Sequence, residues 1–145
     1  MLYLDTSALL KLYVLEPGSK AVQESVAGQS EPLPVWEIQE MELNNALQLK
    51  VFWKELTAKE VAYQWSLFTQ RKASGFYYMP EIRRPRLMSE FSSLAGLTPQ
   101  LGCRTIDIMH VACACQLQPQ QFISFDERQK KLAREAGLNV PDLSD

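Results

Sequence analysis

The order of apolar and polar residues predicts short strands that alternate with helices. Residues 2–4 form an apolar run of strand type, and the polar residues 5–7, which suit a helix start, precede the periodic apolar segment 8–12. Residues 122–125 form a second apolar run, and Asp126 behind it is expected to cap a helix. Both segments are therefore typical of a strand, a turn and a helix.

The remaining elements are predicted from caps, breakers and helical spacing. Thr57 and Glu60 have the spacing of a capping box, and Val61, Trp65 and Phe68 repeat at helical intervals behind them. Two weaker strands are expected, one between Pro32 and Pro34 and one at 138–140. The other predicted helices cover residues 19–27, 37–53, an amphipathic segment with Leu87, Phe91, Leu94 and Ala95, residues 106–117 and residues 127–136.

Strands that alternate with helices, without a hairpin signal of the Asn-Gly type, predict a parallel sheet covered by helices on both faces. A chain of 145 residues is long enough for one well-packed core and too short for two. The expected fold class is α/β, a three-layer α/β/α arrangement with a central parallel sheet, in a single domain that spans residues 1–145.

Two acidic residues directly follow the predicted strands, Asp5 after residues 2–4 and Asp126 after residues 122–125. Because sites in open parallel sheets form beyond the carboxyl ends of the strands, both are expected at one edge. Each residue alone also fits an ordinary helix cap. Asp107 lies in the first turn of its helix, where the dipole favours a carboxylate, and complementing that dipole is the alternative role for it.

Glu42 is placed inside an apolar face of the predicted helix 37–53. That face consists of Ile38, Ala46, Leu49 and Trp53. Burying a lone carboxylate is costly, so a cation or a salt-bridge partner is expected beside Glu42. Glu40 or Glu37 would be the functional acid if another face of the helix is buried.

A cluster of carboxylates without Cys or His ligands suits a hard cation, since Mg²⁺ and Mn²⁺ prefer oxygen ligands in a near-octahedral shell. Such a cation can orient a phosphodiester, lower the pKa of an attacking water and stabilise the leaving oxygen. The predicted cofactor is therefore Mg²⁺, with Mn²⁺ as a possibility. The predicted reaction is hydrolysis of a nucleic-acid backbone.

Other catalytic arrangements are less well supported. His110 is the sole histidine, so a Ser-His-Asp triad would depend on it alone, and it is interpreted as a core residue or as support behind the ligands. An aspartyl phosphatase usually has a second acid two positions after the first, where this chain has Ser7. No Gly-rich phosphate loop is present.

Composition restricts the class of protein further. Hydrophobic residues make up 46% and charged residues 22%, as in ordinary globular chains, and the net charge of −2 argues against a generally basic surface. No apolar run approaches the roughly 18 residues that span a bilayer, and residues 1–5 lack the features of a secretion signal. Three cysteines without a CxxC pair suggest reduced thiols. A cytoplasmic protein without a membrane interaction is expected.

Four sequence blocks together resemble the PIN-domain nucleases, and within them the VapC-like toxins of type II toxin–antitoxin pairs. The blocks are residues 4–9, 42–47, 104–112 and 123–128, followed by Leu132-Ala133 and Gly137-Leu138. The likeness runs nearly from end to end. Many relatives carry Thr where this chain has Ser124, which keeps the hydroxyl.

The resemblance implies that Asp5, Glu42, Asp107 and Asp126 form the acidic quartet of that family. Asp5 and Asp107 would be the firmest metal ligands, and the other two would complete the site directly or through water. It also implies an RNA substrate, a homodimer, and a cognate antitoxin whose tail lies in the groove near the acids. The basic segment 83–86 could grip RNA phosphates or form a solvated turn.

The sequence is thus interpreted as a magnesium-dependent endoribonuclease, the toxin component of a toxin–antitoxin pair, in which metal-activated water hydrolyses RNA. Two alternatives stay open. The first is a catalytically silent module of the same fold that binds RNA or protein, and the second is a housekeeping RNA-processing nuclease without an antitoxin. A dimer could use the aromatic surface around Trp53 and Trp65.

Overall fold

The computed structural model describes residues 1–143 and is mostly helical. Within that range the elements follow in the order β1 (Leu2–Leu4), α1 (Thr6–Leu10), α2 (Ser19–Ala27), β2 (Leu33–Pro34), α3 (Glu37–Phe52), α4 (Ala58–Ala73), β3 (Tyr77–Tyr78), α5 (Arg84–Ala95), α6 (Thr98–Leu101), α7 (Thr105–Leu117), β4 (Gln121–Ile123) and α8 (Glu127–Glu135). None of the helices in this part of the chain is long and apolar enough to span a membrane.

Several predicted caps are confirmed. The carboxylate of Asp5 accepts a hydrogen bond from the backbone N–H of Ala8 at the start of α1. Thr57 and Glu60 form the reciprocal capping box of α4, and Asp126 caps α8. Polar side chains thus fix three helix starts by binding backbone donors that the helices leave free.

The predicted three-layer α/β/α fold with a central parallel sheet is wrong. The described residues form two separate two-stranded sheets, in which β1 pairs with β4 and β2 pairs with β3, each in parallel. The strands are only two or three residues long. At the free edge of β1, the side-chain amide of Gln39 donates to the carbonyl of Leu4 at 2.6 Å, so a helix residue binds the acceptor that a further strand would have used.

Other elements also differ from the prediction. The strand predicted at 122–125 ends at Ile123, because the Ser124 side chain turns to Asp5 and the ring of Phe125 lies against Gly18. The predicted edge strand 138–140 is not a strand, although the carbonyl of Asn139 accepts a hydrogen bond from Phe122 N at 2.8 Å. The sequence analysis did not anticipate β3 or α6.

Side chains of β1 alternate between two hydrophobic cores. Leu2 and Leu4 belong to a core formed mainly with α1, α3 and α4, whereas Tyr3 belongs to a second core formed with α7 and α8. On the neighbouring strand, Ile123 and Phe122 divide between the same two cores. The β1–β4 pair is therefore buried on both faces, which explains why each strand is a continuous apolar run.

A partly buried network of ion pairs allows a test of how much one of its charges stabilises the fold. Lys50 is 9% exposed and its ammonium group bonds Glu16 and Glu55, and Lys11 donates to Glu16 at 3.2 Å. Burial raises the pKa of Glu16, but the hydrogen bonds from Lys50 and Lys11 more than offset this effect, so the pKa lies below its ordinary value. Glu16 thus stabilises the fold above the pKa of the unfolded chain, and this contribution is lost as the pH falls through the folded-state pKa.

The variant Glu16→Gln is therefore expected to lose about 1 kcal/mol of unfolding free energy at pH 7, since Glu16 is partly exposed and its pairs are partly screened. Urea unfolding at pH 7 and pH 3 measures the difference. The difference between the variant and the wild type should be smaller at pH 3 than at pH 7, because Glu16 loses its charge as the pH falls. The matched control is Glu24→Gln, whose exposed pair with Lys20 at 3.9 Å should contribute little. An equal loss at both pH values would contradict the prediction.

Candidate functional site in an acidic pocket

The four predicted acids line one small pocket of about 160 Å³. Asp5 directly follows β1, Glu42 lies in α3, Asp107 lies in the first turn of α7, and Asp126 directly follows β4. The pocket lining also includes Thr6, Ser7, Arg104, His110 and Gln129. Residues that are up to 121 positions apart in the sequence are thus brought together, as the sequence analysis expected for Asp5 and Asp126.

Asp5 is buried and rigidly held. Its Oδ1 accepts hydrogen bonds from Ser7 Oγ at 2.7 Å and from Ala8 N at 2.9 Å, and its Oδ2 accepts one from Ser124 Oγ at 2.7 Å. Burial raises the pKa of Asp5 above its ordinary value, although nearby His110 and the three donors lower it. The carboxylate therefore needs either these donors or a cation to remain charged.

Glu42 is only partly exposed, and two donors reach it. Thr6 Oγ1 donates to Glu42 Oε2 at 2.6 Å, and His110 Nε2 lies 2.5 Å from the same oxygen. Burial raises the pKa of Glu42, but the hydrogen bonds from His110 and Thr6 outweigh it, so the pKa is lowered. Glu42 is thus held as a carboxylate at the pocket wall.

The apolar face that placed Glu42 in the core was predicted one position out of register. The buried side chains of α3 are Gln39, Leu43, Leu47 and Lys50, and the predicted face lies beside them. Trp53, part of that face, is 54% exposed. The alternatives to Glu42 lie elsewhere: Glu40 pairs with Lys72, and Glu37 lines a different cavity.

Arg104 bridges two of the acids. Its Nε lies 3.2 Å from Asp107 Oδ2, and its Nη2 lies 3.6 Å from Asp126 Oδ2. Asp107 also accepts from the backbone N–H of Arg104 at 2.9 Å, so the Asp107 side chain satisfies this donor at the start of α7. Sequence reasoning did not single out Arg104, because an arginine before a helix has no distinctive pattern.

The arginines for which phosphate binding or a solvated turn was considered lie outside this pocket. Arg84 lines a larger apolar cavity with Trp36, Ile38 and Met109, and Arg86 lies 3.8 Å from Glu90. Arg104 is the arginine that lines the acidic pocket. The basic segment 83–86 is therefore not part of the acidic pocket.

Within residues 1–143, no group of three or more His, Cys, Asp or Glu side chains is arranged closely enough to hold a metal ion as it stands. The carboxylates accept hydrogen bonds instead, from the hydroxyl, imidazole and backbone donors described above and from the Arg104 guanidinium. One buried acceptor in the pocket lining is unsatisfied, since Gln129 Oε1 has no hydrogen-bond partner in the described part of the chain. An unpaired buried oxygen is costly unless water or a ligand reaches it.

Comparison with known proteins gives structural matches only. No protein-family model and no curated protein matches the chain. Among solved structures, FitAcB from Neisseria gonorrhoeae is 15% identical over 98% of this chain and 97% of that one, with a TM-score of 0.64. VapBC2 from Rickettsia felis, bound to a DNA fragment from its promoter, is 14% identical over 99% and 100%, with a TM-score of 0.68. VapBC-1 from nontypeable Haemophilus influenzae is 18% identical over 98% of both chains, with a TM-score of 0.64.

These findings correct the family assignment made from the sequence. Identities of 14–18% show a shared fold and nothing more, and no family model supports the four blocks. The family resemblance also implied a three-layer sheet, whereas the described residues form two separate strand pairs. The assignment to the PIN-domain, VapC-like toxins is therefore withdrawn.

The predicted function is corrected as well. The similar structures are FitAcB, VapBC2 and VapBC-1, and at 14–18% identity they show a shared fold and no role for this chain. The toxin role, the catalytically silent module and the housekeeping nuclease without an antitoxin are accordingly not retained.

Ser124 offers a test of how Asp5 is held. Ser124 Oγ donates to Asp5 Oδ2 and accepts from Asp126 N at 3.0 Å, so it ties two of the acids together. Replacement Ser124→Ala should raise the pKa of Asp5 further, because fewer donors would then oppose the effect of burial. It should also lower the free energy of unfolding by about 1–3 kcal/mol, because a buried acceptor loses its donor. Carboxyl ¹³C titration by NMR and urea unfolding measure these effects.

The variant Ser124→Thr keeps the hydroxyl and should behave as the wild type does. Replacement Ser25→Ala removes a hydroxyl that bonds the Ala21 carbonyl within α2, and it should leave Asp5 unchanged. An Asp5 pKa that is the same in Ser124→Ala and in the wild type would show that this hydrogen bond does not hold the carboxylate.

Proposed function

We propose that the acidic pocket binds a divalent cation, Mg²⁺ or Mn²⁺, and that the chain is a metal-dependent hydrolase that acts on phosphodiester bonds, with RNA as the substrate. The observation that carries the proposal is the convergence of Asp5, Glu42, Asp107 and Asp126 on one pocket from four separate elements. Asp5 and Asp107 are proposed as the metal ligands. Glu42 and Asp126 complete the site directly or through water.

The residues of the pocket fit such a cation chemically. All four acids offer oxygen ligands, and a cation with a near-octahedral shell retains several waters, so it needs few direct protein ligands. Gln129 also lines the pocket, and its Oε1 has no hydrogen-bond partner among the described residues. The Arg104 guanidinium between Asp107 and Asp126 supports the proposal because it shows that the pocket favours positive charge.

A bound cation would supply Lewis acidity to a phosphoryl oxygen and would make an attacking water more acidic. The protein's own contribution is geometric. Ser7 and Ser124 fix both oxygens of Asp5, and Thr6 fixes one oxygen of Glu42. Preorganised carboxylates of this kind need little rearrangement when a charged ligand arrives.

We also propose that the chain works in complex with a protein partner in the cytoplasm. The similar solved structures are complexes, which supports a partner. Exposed aromatic side chains at Phe52, Trp53 and Tyr63 offer an apolar surface for self-association, whereas Trp65 stacks on Phe68 inside the molecule. The three cysteines are free thiols, which suits a reducing compartment.

The proposed activity is tested by cleavage of total RNA with Mg²⁺, with Mn²⁺ and with a chelator. Asp5→Asn should reduce the cleavage rate by about a hundredfold or more, because the variant loses a charged ligand while keeping its shape. Mn²⁺ binding, measured by calorimetry, should be lost in parallel. The control Asp142→Asn changes an exposed acid that pairs with Arg134 and should cleave at the wild-type rate. Full-rate cleavage by Asp5→Asn, or no cleavage by folded wild type loaded with metal, would overturn the proposal.

Arg104 provides a second, independent test. Its guanidinium occupies the space between Asp107 and Asp126, so it competes with a cation for these carboxylates. Because exposed ion pairs contribute up to about 1 kcal/mol each, Arg104→Gln should tighten Mn²⁺ binding by about fivefold.

The matched control for this test is Arg128→Gln. It removes the same charge from a residue that lies 4.0 Å from Asp126 and has no ion pair with Asp107 among the described residues. Equal tightening in both variants would indicate general electrostatic attraction instead of competition for the two carboxylates.

A further inference from the structure

His110 lies directly behind the acidic pocket, and both of its ring nitrogens are engaged. Its Nε2 is 2.5 Å from Glu42 Oε2 and 3.3 Å from Thr6 Oγ1, and its Nδ1 is 3.0 Å from Tyr3 Oη. The side chain of His110 is 1% exposed, which confirms the prediction that it is a core residue. A buried imidazole with partners on both sides is fixed in its orientation.

The hydrogen bonds of this group run in one direction. The indole of Trp36 is only a donor, and its Nε1–H donates to Tyr3 Oη at 3.0 Å. A Tyr3 hydroxyl that donates to His110 Nδ1 leaves the ring hydrogen on Nε2, facing the carboxylate of Glu42. In this arrangement Trp36, Tyr3 and His110 form a chain of hydrogen-bond donors that ends at the carboxylate of Glu42.

Packing holds this chain rigid. Tyr3 is fully buried and Trp36 is 5% exposed. The ring of Tyr3 stacks on Phe122 with centroids 5.3 Å apart and meets the ring of His110 edge-on at 6.1 Å. Trp36 and Phe122, which both contact Tyr3, belong with it to the second hydrophobic core. Because this core is closely packed, the imidazole that Tyr3 contacts has little room to turn away from Glu42.

The geometry has a direct effect on Glu42. Thr6 and His110 both bind Oε2, and no protein donor in residues 1–143 binds Oε1. One oxygen of Glu42 is therefore anchored in the protein, and the other stays available to a cation or to a water in its shell.

We propose that His110 is a positioning residue for Glu42, and that the buried chain from Trp36 through Tyr3 fixes the ring hydrogen that His110 presents to this carboxylate. The proposal rests on the proposed function, since it assigns a role within the same pocket. Residues behind metal-site carboxylates commonly affect metal affinity or activity by tenfold to a hundredfold.

The first part of the experiment examines the ring itself. Because His110 is the only histidine, a protein labelled with ¹⁵N-histidine gives a single imidazole spectrum. The wild type should show an N–H signal at Nε2 and an unprotonated, hydrogen-bonded Nδ1. Tyr3→Phe removes the hydroxyl and keeps the ring that stacks on Phe122, so the Nδ1 signal should shift while the protein stays folded.

A matched control is available in a second buried tyrosine. Tyr77 is 3% exposed and its hydroxyl bonds Tyr13 at 2.6 Å, far from the pocket lining. Tyr77→Phe loses a buried hydroxyl in the same way but should leave the imidazole spectrum unchanged. A wild-type ring protonated only at Nδ1, or a spectrum that does not respond to Tyr3→Phe, would overturn the proposed chain.

The second part measures the consequence for the pocket by calorimetric titration with Mn²⁺. His110→Leu should weaken Mn²⁺ binding by about tenfold or more, and Tyr3→Phe by about threefold, because it acts one residue further away. His110→Gln, whose amide can still donate to Glu42, should recover most of the affinity. A purely structural role would not be rescued in this way.

The outcomes separate this inference from the proposed function. If the wild type binds Mn²⁺ and Asp5→Asn does not, but His110→Leu binds as the wild type does, the role of His110 fails and the proposed function stands. If the folded wild type binds no Mn²⁺, the proposed function fails and the role of His110 fails with it. Equal loss of affinity in His110→Leu and His110→Gln would also overturn the positioning role.

Discussion

The parallel pairing of β1 with β4 is the interaction on which the rest of the structure depends. It joins Leu2–Leu4 to Gln121–Ile123 and continues one step further, where Asp5 N donates to the carbonyl of Ile123 at 3.0 Å. That last bond places Asp5 beside Ser124 and Asp126. Both hydrophobic cores are built on the two faces of this pair, so the strands organise the interior and the acidic pocket together.

Local patterns in the sequence predict the caps well, because Asp5 and Asp126 act through neighbours only two or three positions away. The fold class was wrong because sheet continuity depends on how elements meet in space, and Gln39 binds the edge of β1 in a way that no local pattern shows. Glu42 reaches the pocket although its apolar face was misplaced by one position. Arg104 and Tyr3 went unnoticed as site residues because their roles depend on partners that only the folded chain supplies.

The pocket also shows how protein donors keep like charges close together. Asp5 has its serine donors, Glu42 has Thr6 and His110, and Asp107 has Arg104. Asp126 shares Arg104 with Asp107, so every carboxylate has a donor or a cation beside it, and the repulsion between the acids is reduced accordingly. The same donors keep the acids from forming a ready-made ligand cage in the described residues.

The pairing of β1 with β4 has a consequence for the nascent chain. Domains begin to fold from the N-terminal side while the ribosome is still adding residues. Leu2–Leu4, however, lacks its strand partner until residues 121–123 have emerged, and Asp107 and Asp126 also come late. Until residues 121–123 have been added, the first strand is an unpaired apolar segment, and before residue 107 only Asp5 and Glu42 of the four acids exist. The acidic pocket therefore cannot form until Asp126 has been synthesised.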